Sequence, residues 1–245
     1  VLGLIFTKAS TRTRVSFQVA MARLGGQTVD LNPSVTQLGR GEPLEDTARV
    51  LSRYCDVLAI RTFAQQELVD YAYWASVPVI NALTDLEHPC QALADFLTMR
   101  EAHGELAGQT LAYIGDGNNV AHSLMLCGAL LGVNVRIGCP EGFEPLPGVL
   151  DQARDLAQHG ASIDVITDPA QAVAGAQAVY TDVWASMGQE TEQAEREQAF
   201  SGFCVDEALM DQAASDATVL HCLPAHRGEE ISAEVMESAA SRIFD

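Results

Sequence analysis

The chain has 245 residues, 48% of them hydrophobic, which is enough to bury one large core or two modest ones. Its 33 acidic and 14 basic residues give a formal net charge of −19, which argues against binding to nucleic acid or to an anionic membrane. No apolar run approaches the ~20 residues that span a bilayer, and the first residues lack the pattern of a signal peptide. The six cysteines form no C-x-x-C pair, which disfavours a zinc centre and predicts reduced thiols in a cytoplasmic protein.

Apolar runs of strand length alternate with segments of helical spacing along the whole chain. Strands are predicted at residues 1–6, 28–31, 55–60, 77–82, 110–114, 133–137, 162–166, 178–181 and 218–220. Helices are predicted at residues 15–24, 43–54, 65–75, 88–103, 119–131 and 148–159. This alternation is typical of βαβ units, in which helices cover both faces of a parallel sheet.

The long helix predicted over residues 88–103 ends at Gly104 and is followed by a new start at residues 106–108, so the domain junction is placed there. The predicted fold is α/β, with two doubly wound domains, each a parallel sheet flanked by helices, joined by this long helix. The first domain would be residues 1–103 and the second residues 104–228. In such folds ligands bind at the carboxyl ends of the strands.

The turn after the first predicted strand, Ser10–Arg14, suits an anion. Strand, polar turn and helix is the arrangement in which helix-start N–H groups point at an anion. Lys8, Arg12 and Arg14 place scarce positive charge there, which is unfavourable to the helix dipole by about 0.3–1 kcal/mol per charge unless an anion is bound. The alternative is a capped helix whose arginines reach into solvent.

Later strand ends also carry polar residues. His88 and Gln91 lie three apart on one helical face, where they suit a carbonyl or amide, although His88 could instead be a helix cap. The run G-D-G-N-N at 115–119 lacks the third glycine of a dinucleotide fingerprint, which argues against a nicotinamide cofactor. The amides of Asn118 and Asn119 suit a small polar ligand instead.

Segment 182–188 suits the head group of an α-amino acid, and a further strand end carries Cys222. In segment 182–188 the carboxylate of Asp182 suits an ammonium, while a hydroxyl with backbone N–H groups suits a carboxylate. Cys222 lies between His221 and a Leu-Pro pair. It is either a buried apolar cysteine or a functional one, and no protease-type signature marks it as a nucleophile.

Taken together, these motifs closely resemble the aspartate/ornithine carbamoyltransferase family over essentially the whole chain. The shared motifs are S-T-R-T-R at 10–14, H-P-x-Q at 88–91, and Gly41-Glu42 followed by Asp46-Thr47-Ala48. The runs D-x-x-x-S-M-G at 182–188 and H-C-L-P at 221–224 resemble the ornithine-specific branch.

The resemblance implies transfer of a carbamoyl group from carbamoyl phosphate to the side-chain amine of L-ornithine, giving citrulline and phosphate in arginine metabolism. The carbamoyl phosphate residues it implies are Ser10, Thr11, Arg12, Thr13, Gln37, Arg61, His88, Gln91, Cys222 and Leu223. The ornithine residues it implies are Asn119, Asp182, Ser186 and Met187. The catalytic residues among these would be Arg61, His88, Asp182 and Cys222.

The resemblance implies no metal and no organic cofactor. Gln37 matches a family position that reaches into the neighbouring subunit's site, which implies a homotrimer with active sites at subunit interfaces. Aspartate, putrescine and acetylornithine remain alternative acceptors, although segment 186–188 argues against putrescine, which has no carboxylate. A non-catalytic protein that binds carbamoyl phosphate is the alternative from another class.

The chain also departs from the family pattern. Thr7 and Ala9 stand where the family commonly has Glu and Pro. The chain starts after the family's N-terminal helix pair and stops before its closing helix, so residues 229–245 would begin a C-terminal segment that returns to the first domain. We therefore expect these 245 residues alone to bind carbamoyl phosphate weakly or to be inactive.

Overall fold

Two parallel sheets organise the chain, one in each of two units, Val1–Cys90 and Gln91–Asp245. A computed structural model describes residues 1–32, 41–185 and 193–245. The predicted α/β class is confirmed, because every strand pairing within these sheets is parallel and helices separate most successive strands. Within these ranges no helix is both long and apolar enough to cross a membrane.

The first unit contains a sheet of order β2-β1-β3-β4. Its elements are β1 (Leu2–Phe6), α1 (Arg12–Arg23), β2 (Thr28–Leu31), α2 (Leu44–Leu51), β3 (Val57–Arg61), α3 (Gln65–Trp74) and β4 (Val79–Leu83). All five residues of β1 are buried, because its alternate side chains enter two different cores. Ile5 joins the cluster that contains Ala48 of α2, and Leu4 joins the cluster against which Phe17 of α1 packs. Both faces of this sheet are therefore covered, as the uninterrupted apolar run predicted.

The second unit contains a sheet of order β7-β6-β5-β8-β9. Its longer elements are α4 (Pro89–His103), which begins in the first unit, β5 (Thr110–Ile114), α5 (Asn119–Leu131), β6 (Asn134–Gly138), α6 (Pro147–Leu156), β7 (Ile163–Ile166), β8 (Ala178–Thr181) and β9 (Thr218–His221). Its short helices are α7 (Pro169–Val173), α8 (Gln193–Ala199), α9 (Glu207–Met210) and α10 (Ala233–Met236).

The contacts divide the chain inside α4, earlier than the junction predicted at residue 103. Most of α4 packs within the second unit: His103 Nε2 lies 3.2 Å from Thr218 Oγ1 of β9, and Phe96 lies against Gly128 of α5. The division between Cys90 and Gln91 falls in the first turn of a continuous helix, so no break in the helical spacing marks it. The predicted bounds 1–103, 104–228 and 229–245 stay a prediction.

Candidate active site

Each sheet has a point at which the order of its strands reverses, and the predicted site residues follow the strands at that point. In the first unit the reversal lies between β1 and β3, which lead into Ser10–Thr13 and end at Arg61. In the second it lies between β5 and β8, which lead into Asn119 and Asp182. Open α/β sheets bind ligands at this crevice because the two connections leave in opposite directions. Each unit therefore carries a candidate half-site.

The candidate half-site of the first unit is formed by the start of α1 and the end of β3. Arg12 is the first residue of α1, and the preceding Thr11 makes no side-chain capping bond to the helix. Arg61 is 8% exposed, and its Nη1 donates to Thr13 Oγ1 over 3.3 Å. The structure thus brings Arg61 to the first turn of α1, where helix-start N–H groups favour an anion.

The other two cations of this turn are engaged by the protein. Arg14 forms an ion pair with Asp30 and lies with its guanidinium carbon 5.0 Å from the Phe6 ring centroid. The Lys8 ammonium lies 3.6 Å from the Phe63 ring centroid, a cation–π contact. Burial and the neighbouring Arg61 lower the pKa of Lys8. Arg12 is exposed at the helix start and Arg61 lies at the first turn of α1, so both guanidiniums stand where an anion would meet the helix-start N–H groups.

His88 lies in the first unit immediately before α4. Burial, followed by the charge of Arg61, lowers its pKa to about 4, so the imidazole is neutral at physiological pH. A neutral imidazole donates one N–H bond without bringing a second full charge beside Arg61. That property suits polarisation of a carbonyl oxygen.

The candidate half-site of the second unit is centred on the Asp182 carboxylate, and Asp182 is 6% exposed. Asp182 Oδ1 accepts from the Cys222 thiol over 3.1 Å and from the Val183 N–H over 2.8 Å. Asp182 Oδ2 accepts from Asn118 Nδ2 over 2.9 Å. The carboxylate therefore joins the ends of β8 and β9 to the start of α5.

Cys222 is a thiol donor in this arrangement. Burial, followed by the negative charge of Asp182, raises the pKa of Cys222 well above its ordinary value. A thiol that keeps its proton is neither a nucleophile nor a base at neutral pH. Of the two residues, Asp182 is the one that can attract or accept a proton.

Asn118 and Asn119 have different positions, which sequence reasoning did not separate. Asn118 Oδ1 caps α5 by accepting from the N–H groups of Val120 and Ala121, over 2.9 and 3.2 Å. Its amide is thus committed to the helix and to Asp182, whereas Asn119 is the first residue of α5 and partly exposed. The preference of Asn for the position before a helix was the signal that could have found this role.

Gly117 allows the turn after β5 to pass close to another segment. A Cβ on Gly117 would lie 2.7 Å from Phe143 O and closer still to the backbone of Glu144 and Pro145. We expect Gly117→Ala to lower the free energy of unfolding by about 1–3 kcal/mol, since the backbone must shift. Urea unfolding checks this, with Gly148→Ala as the control because a Cβ there meets nothing within 4 Å. Equal stability of the two variants would contradict the prediction.

A buried ion pair that the sequence did not reveal holds the segment after β8. Arg196 Nη1 of α8 donates to Asp116 Oδ2 and to Trp184 O, each over 2.8 Å. Its guanidinium also lies 5.1 Å from the centroid of the Phe143 ring. This pair ties the turn after β5 to the segment that follows Asp182. Arg196 stands in a charged run of ordinary solvent-facing composition, so no sequence signal marked it.

The segment after β9 is held by a second buried network. His221 Nδ1 accepts from the Leu223 N–H over 2.8 Å, so the ring proton is on Nε2, which lies 3.1 Å from Glu230 Oε1. The side chains of His221 and Glu230 are both fully buried. The bond fixes Leu223, whose φ of 58° is unusual for a residue other than glycine. His221 thereby sets the course of the chain just after Cys222.

Three predicted site residues, Gln37, Ser186 and Met187, lie outside the described residues. Among the predicted site residues that the structure describes, Arg61 is hydrogen-bonded to Thr13, and Cys222 is hydrogen-bonded to Asp182. Leu223 follows Cys222 with its N–H bonded to His221.

Two family models account for nearly the whole chain. The carbamoyl-P binding domain of aspartate/ornithine carbamoyltransferase matches residues 1–101, and the Asp/Orn binding domain matches residues 107–245. The chain belongs to the aspartate/ornithine carbamoyltransferase family.

Members of this carbamoyltransferase family with high similarity include proteins named ornithine carbamoyltransferase. The one from Parasynechococcus marenigrum (strain WH8102) is 88% identical over 245 residues, which are 100% of this chain and 77% of that protein. Solved family structures include the ornithine carbamoyltransferase from Gloeobacter violaceus, with 55% identity, a TM-score of 0.89, and coverage of 99% of this chain and 79% of that one. The enzyme from Pyrococcus furiosus has 50% identity, a TM-score of 0.95, and coverage of 99% and 78%.

Proposed function

We propose that this chain transfers the carbamoyl group of carbamoyl phosphate to the side-chain amine of L-ornithine, giving L-citrulline and phosphate. The observation that carries the proposal is the Asp182 carboxylate, bonded by the Cys222 thiol and Asn118 at the strand reversal of the second unit. The family's Asp/Orn binding domain matches this unit, and the relatives named ornithine carbamoyltransferase reach 88% identity.

The first unit supplies the groups for the phosphate. In the proposed complex Ser10, Thr11 and Thr13 offer hydroxyls and helix-start N–H groups, and the guanidiniums of Arg12 and Arg61 match the anionic charge. Phosphate gains charge when its bond to the carbamoyl carbon breaks, so positive charge at these positions stabilises the leaving group. Arg61 is already held against Thr13 and needs little rearrangement to do this.

The carbamoyl group would be engaged by His88 and Gln91. A neutral His88 can donate to the carbonyl oxygen, on which negative charge develops when the amine adds to the carbon. Protonation of His88 would occur only near pH 4, so this donor keeps one state over the physiological range.

The amine must lose a proton before it attacks. An alkyl ammonium such as that of lysine has a reference pKa near 10.4. Since Cys222 keeps its own proton, we assign attraction of the ammonium, and acceptance of its proton, to Asp182. The free amine then adds to the carbamoyl carbon, and the C–O bond to phosphate breaks. The departing phosphate can accept one of the two protons that the attacking nitrogen still carries, and the other stays on citrulline. In the proposal Asn119, Ser186 and Met187 hold the amino-acid head.

We further propose a homotrimer to which Gln37 contributes across subunit interfaces, working in the cytoplasm in arginine biosynthesis. The family match supports this assembly, and light scattering after size-exclusion chromatography tests it. A monomeric active enzyme would contradict the assignment of Gln37.

An acceptor comparison tests the proposed reaction. We expect the full-length protein that contains this chain to form citrulline from carbamoyl phosphate and L-ornithine. Putrescine lacks the α-carboxylate, acetylornithine lacks the α-ammonium, and aspartate brings a second carboxylate towards Asp182. For each of them kcat/KM should therefore be lower by at least roughly a hundredfold. Carbamoylated product is measured for each acceptor under the same conditions. A higher kcat/KM with any of the other three acceptors would replace ornithine in the proposal, and no product with any acceptor would favour a non-catalytic binding protein.

A further inference from the structure

Asp95 of α4 is a buried acid that the proposed reaction does not use. The residue is 4% exposed, and it lies one helical turn after Gln91, which is half-buried. Asp95 Oδ1 accepts from Gln91 Nε2 over 2.9 Å. A carboxylate in a protein interior is destabilising unless hydrogen bonds or an opposite charge compensate it.

The bond to Asp95 decides which end of the Gln91 carboxamide is available to a substrate. An ionised carboxylate can only accept hydrogen bonds, so it must face the NH₂ end of the carboxamide. Gln91 Oε1 is then the end left to accept from a ligand. The carbamoyl NH₂ group of carbamoyl phosphate carries two N–H donors and requires such an acceptor. An acceptor role therefore suits Gln91 better than a donor role.

We propose that Asp95 is a positioning residue, which orients the Gln91 carboxamide so that Oε1 accepts an N–H bond from the carbamoyl NH₂ group. Protonation of Asp95 reverses that orientation. This inference rests on the proposed use of carbamoyl phosphate, and it adds a residue that acts only through Gln91.

The surroundings of Asp95 place its protonation near neutral pH. Burial raises the pKa of Asp95 to about 7, with the charge of Asp182 acting in the same direction and the hydrogen bond from Gln91 opposing it. The titratable groups that face it from other elements are Tyr180 of β8, Asp182 after β8, Cys222 after β9 and Cys127 of α5.

The direction of the pH effect follows from the two states of Asp95. Above about pH 7 the carboxylate holds Gln91 Nε2, and Oε1 is available. Below it the Asp95 O–H donates to Oε1 and turns the Gln91 NH₂ outward, where it meets another NH₂ group. Since apparent affinity scales with the competent fraction, carbamoyl binding should be roughly tenfold weaker at pH 6 than at pH 8.

Calorimetry on the full-length protein tests this with phosphonoacetamide, a stable analogue that keeps both the carboxamide and an anionic phosphorus group. The ratio of wild-type to Asp95→Asn affinity should rise about tenfold from pH 6 to pH 8, because Asp95 ionises over this range and Asn does not. Inorganic phosphate has no N–H group to recognise, so its affinity should be equal in the two proteins. Comparing the wild type with Asp95→Asn at the same pH removes the effect of the ligand's own ionisation on affinity.

A folding defect would not produce this pattern. Because the pKa of Asp95 is raised, protonated Asp95 favours the folded state at low pH, and this contribution to stability is lost as pH rises towards 7. At pH 8 the wild type no longer has this contribution, so Asp95→Asn should not melt at a lower temperature than the wild type. The matched control is Asp70→Asn, because Gln66 Nε2 donates to Asp70 Oδ1 over the same 2.9 Å at the same spacing on α3, at the surface. It should leave the pH change intact.

A double-mutant comparison separates action through Gln91 from a direct effect. Asp95→Asn should add no further loss of phosphonoacetamide affinity to Gln91→Ala. A wild-type-to-Asp95→Asn affinity ratio that is the same at pH 6 and pH 8, an added loss in the double variant, or a wild type that does not bind phosphonoacetamide would overturn the inference. Binding with the expected pH change but without citrulline formation would instead overturn only the proposed function.

Discussion

Asp182→Asn is expected to lower kcat for citrulline formation by about 10²–10⁴-fold, the range for loss of a group that moves a proton in the transition state. The substitution keeps the size of the side chain and removes its charge. Donors face both oxygens of Asp182, with Cys222 and Val183 on Oδ1 and Asn118 on Oδ2. An Asn side chain has one acceptor end, so whichever way it turns, its NH₂ group meets another donor.

Steady-state kinetics and phosphonoacetamide binding distinguish this loss from general damage. We assign phosphonate binding to the first unit, so its dissociation constant should stay within about twofold of the wild type. Asp164→Asn on the exposed side of β7 is the control and should leave kcat unchanged. Cys222→Ser keeps a donor towards Asp182 and should cost less than Asp182→Asn. Equal losses, or an Asp182→Asn enzyme with nearly full kcat, would contradict the role given to this carboxylate.

The fold was predictable because the strands are buried on both faces. Each residue of β1 and of β5 is buried, so the apolar run itself reveals the strand. Element ends were less accurate where polar residues form the first turn: α1 begins at Arg12 and not at Val15, because polar residues occupy the helix start and hide the apolar spacing. The four helices α7–α10 have four to seven residues each, too few for a helical period to be read.

For the candidate site, the sequence could locate only the residues that stand at the ends of strands. That rule located Arg61 and Asp182, since parallel strands bring their carboxyl ends to one edge. It could not show that Asn118 is bonded to Asp182, 64 positions away, or that Asp116 is paired with Arg196, 80 positions away. Such pairs depend on tertiary contacts that leave no local pattern. Asp95 was overlooked for a related reason, since one acid in a helix is ordinarily solvent-facing.

Arg196→Met is expected to lower the free energy of unfolding by about 3–5 kcal/mol, because it leaves Asp116 buried without its ion-pair partner. The pair is almost fully enclosed, with side-chain exposures of 8% and 12%. Arg227→Met is a matched control, since Arg227 and Glu237 are separated by the same 2.8 Å but are 46% and 63% exposed. Loss of that surface pair should cost about 0–1 kcal/mol. Denaturant unfolding measures both variants.

Arg196→Met should also raise KM for ornithine, an effect that a purely structural ion pair would not show. Arg196 holds Trp184 O, two residues after Asp182, and so fixes the segment that leads towards Ser186. Adding Asp116→Asn to Arg196→Met removes the unpaired charge and should restore most of the stability. It cannot restore the bond to Trp184, so KM for ornithine should stay raised in the double variant while phosphonoacetamide binding is normal. Recovery of both stability and KM would show that the pair acts through charge balance alone, and that holding Trp184 contributes nothing to ornithine binding.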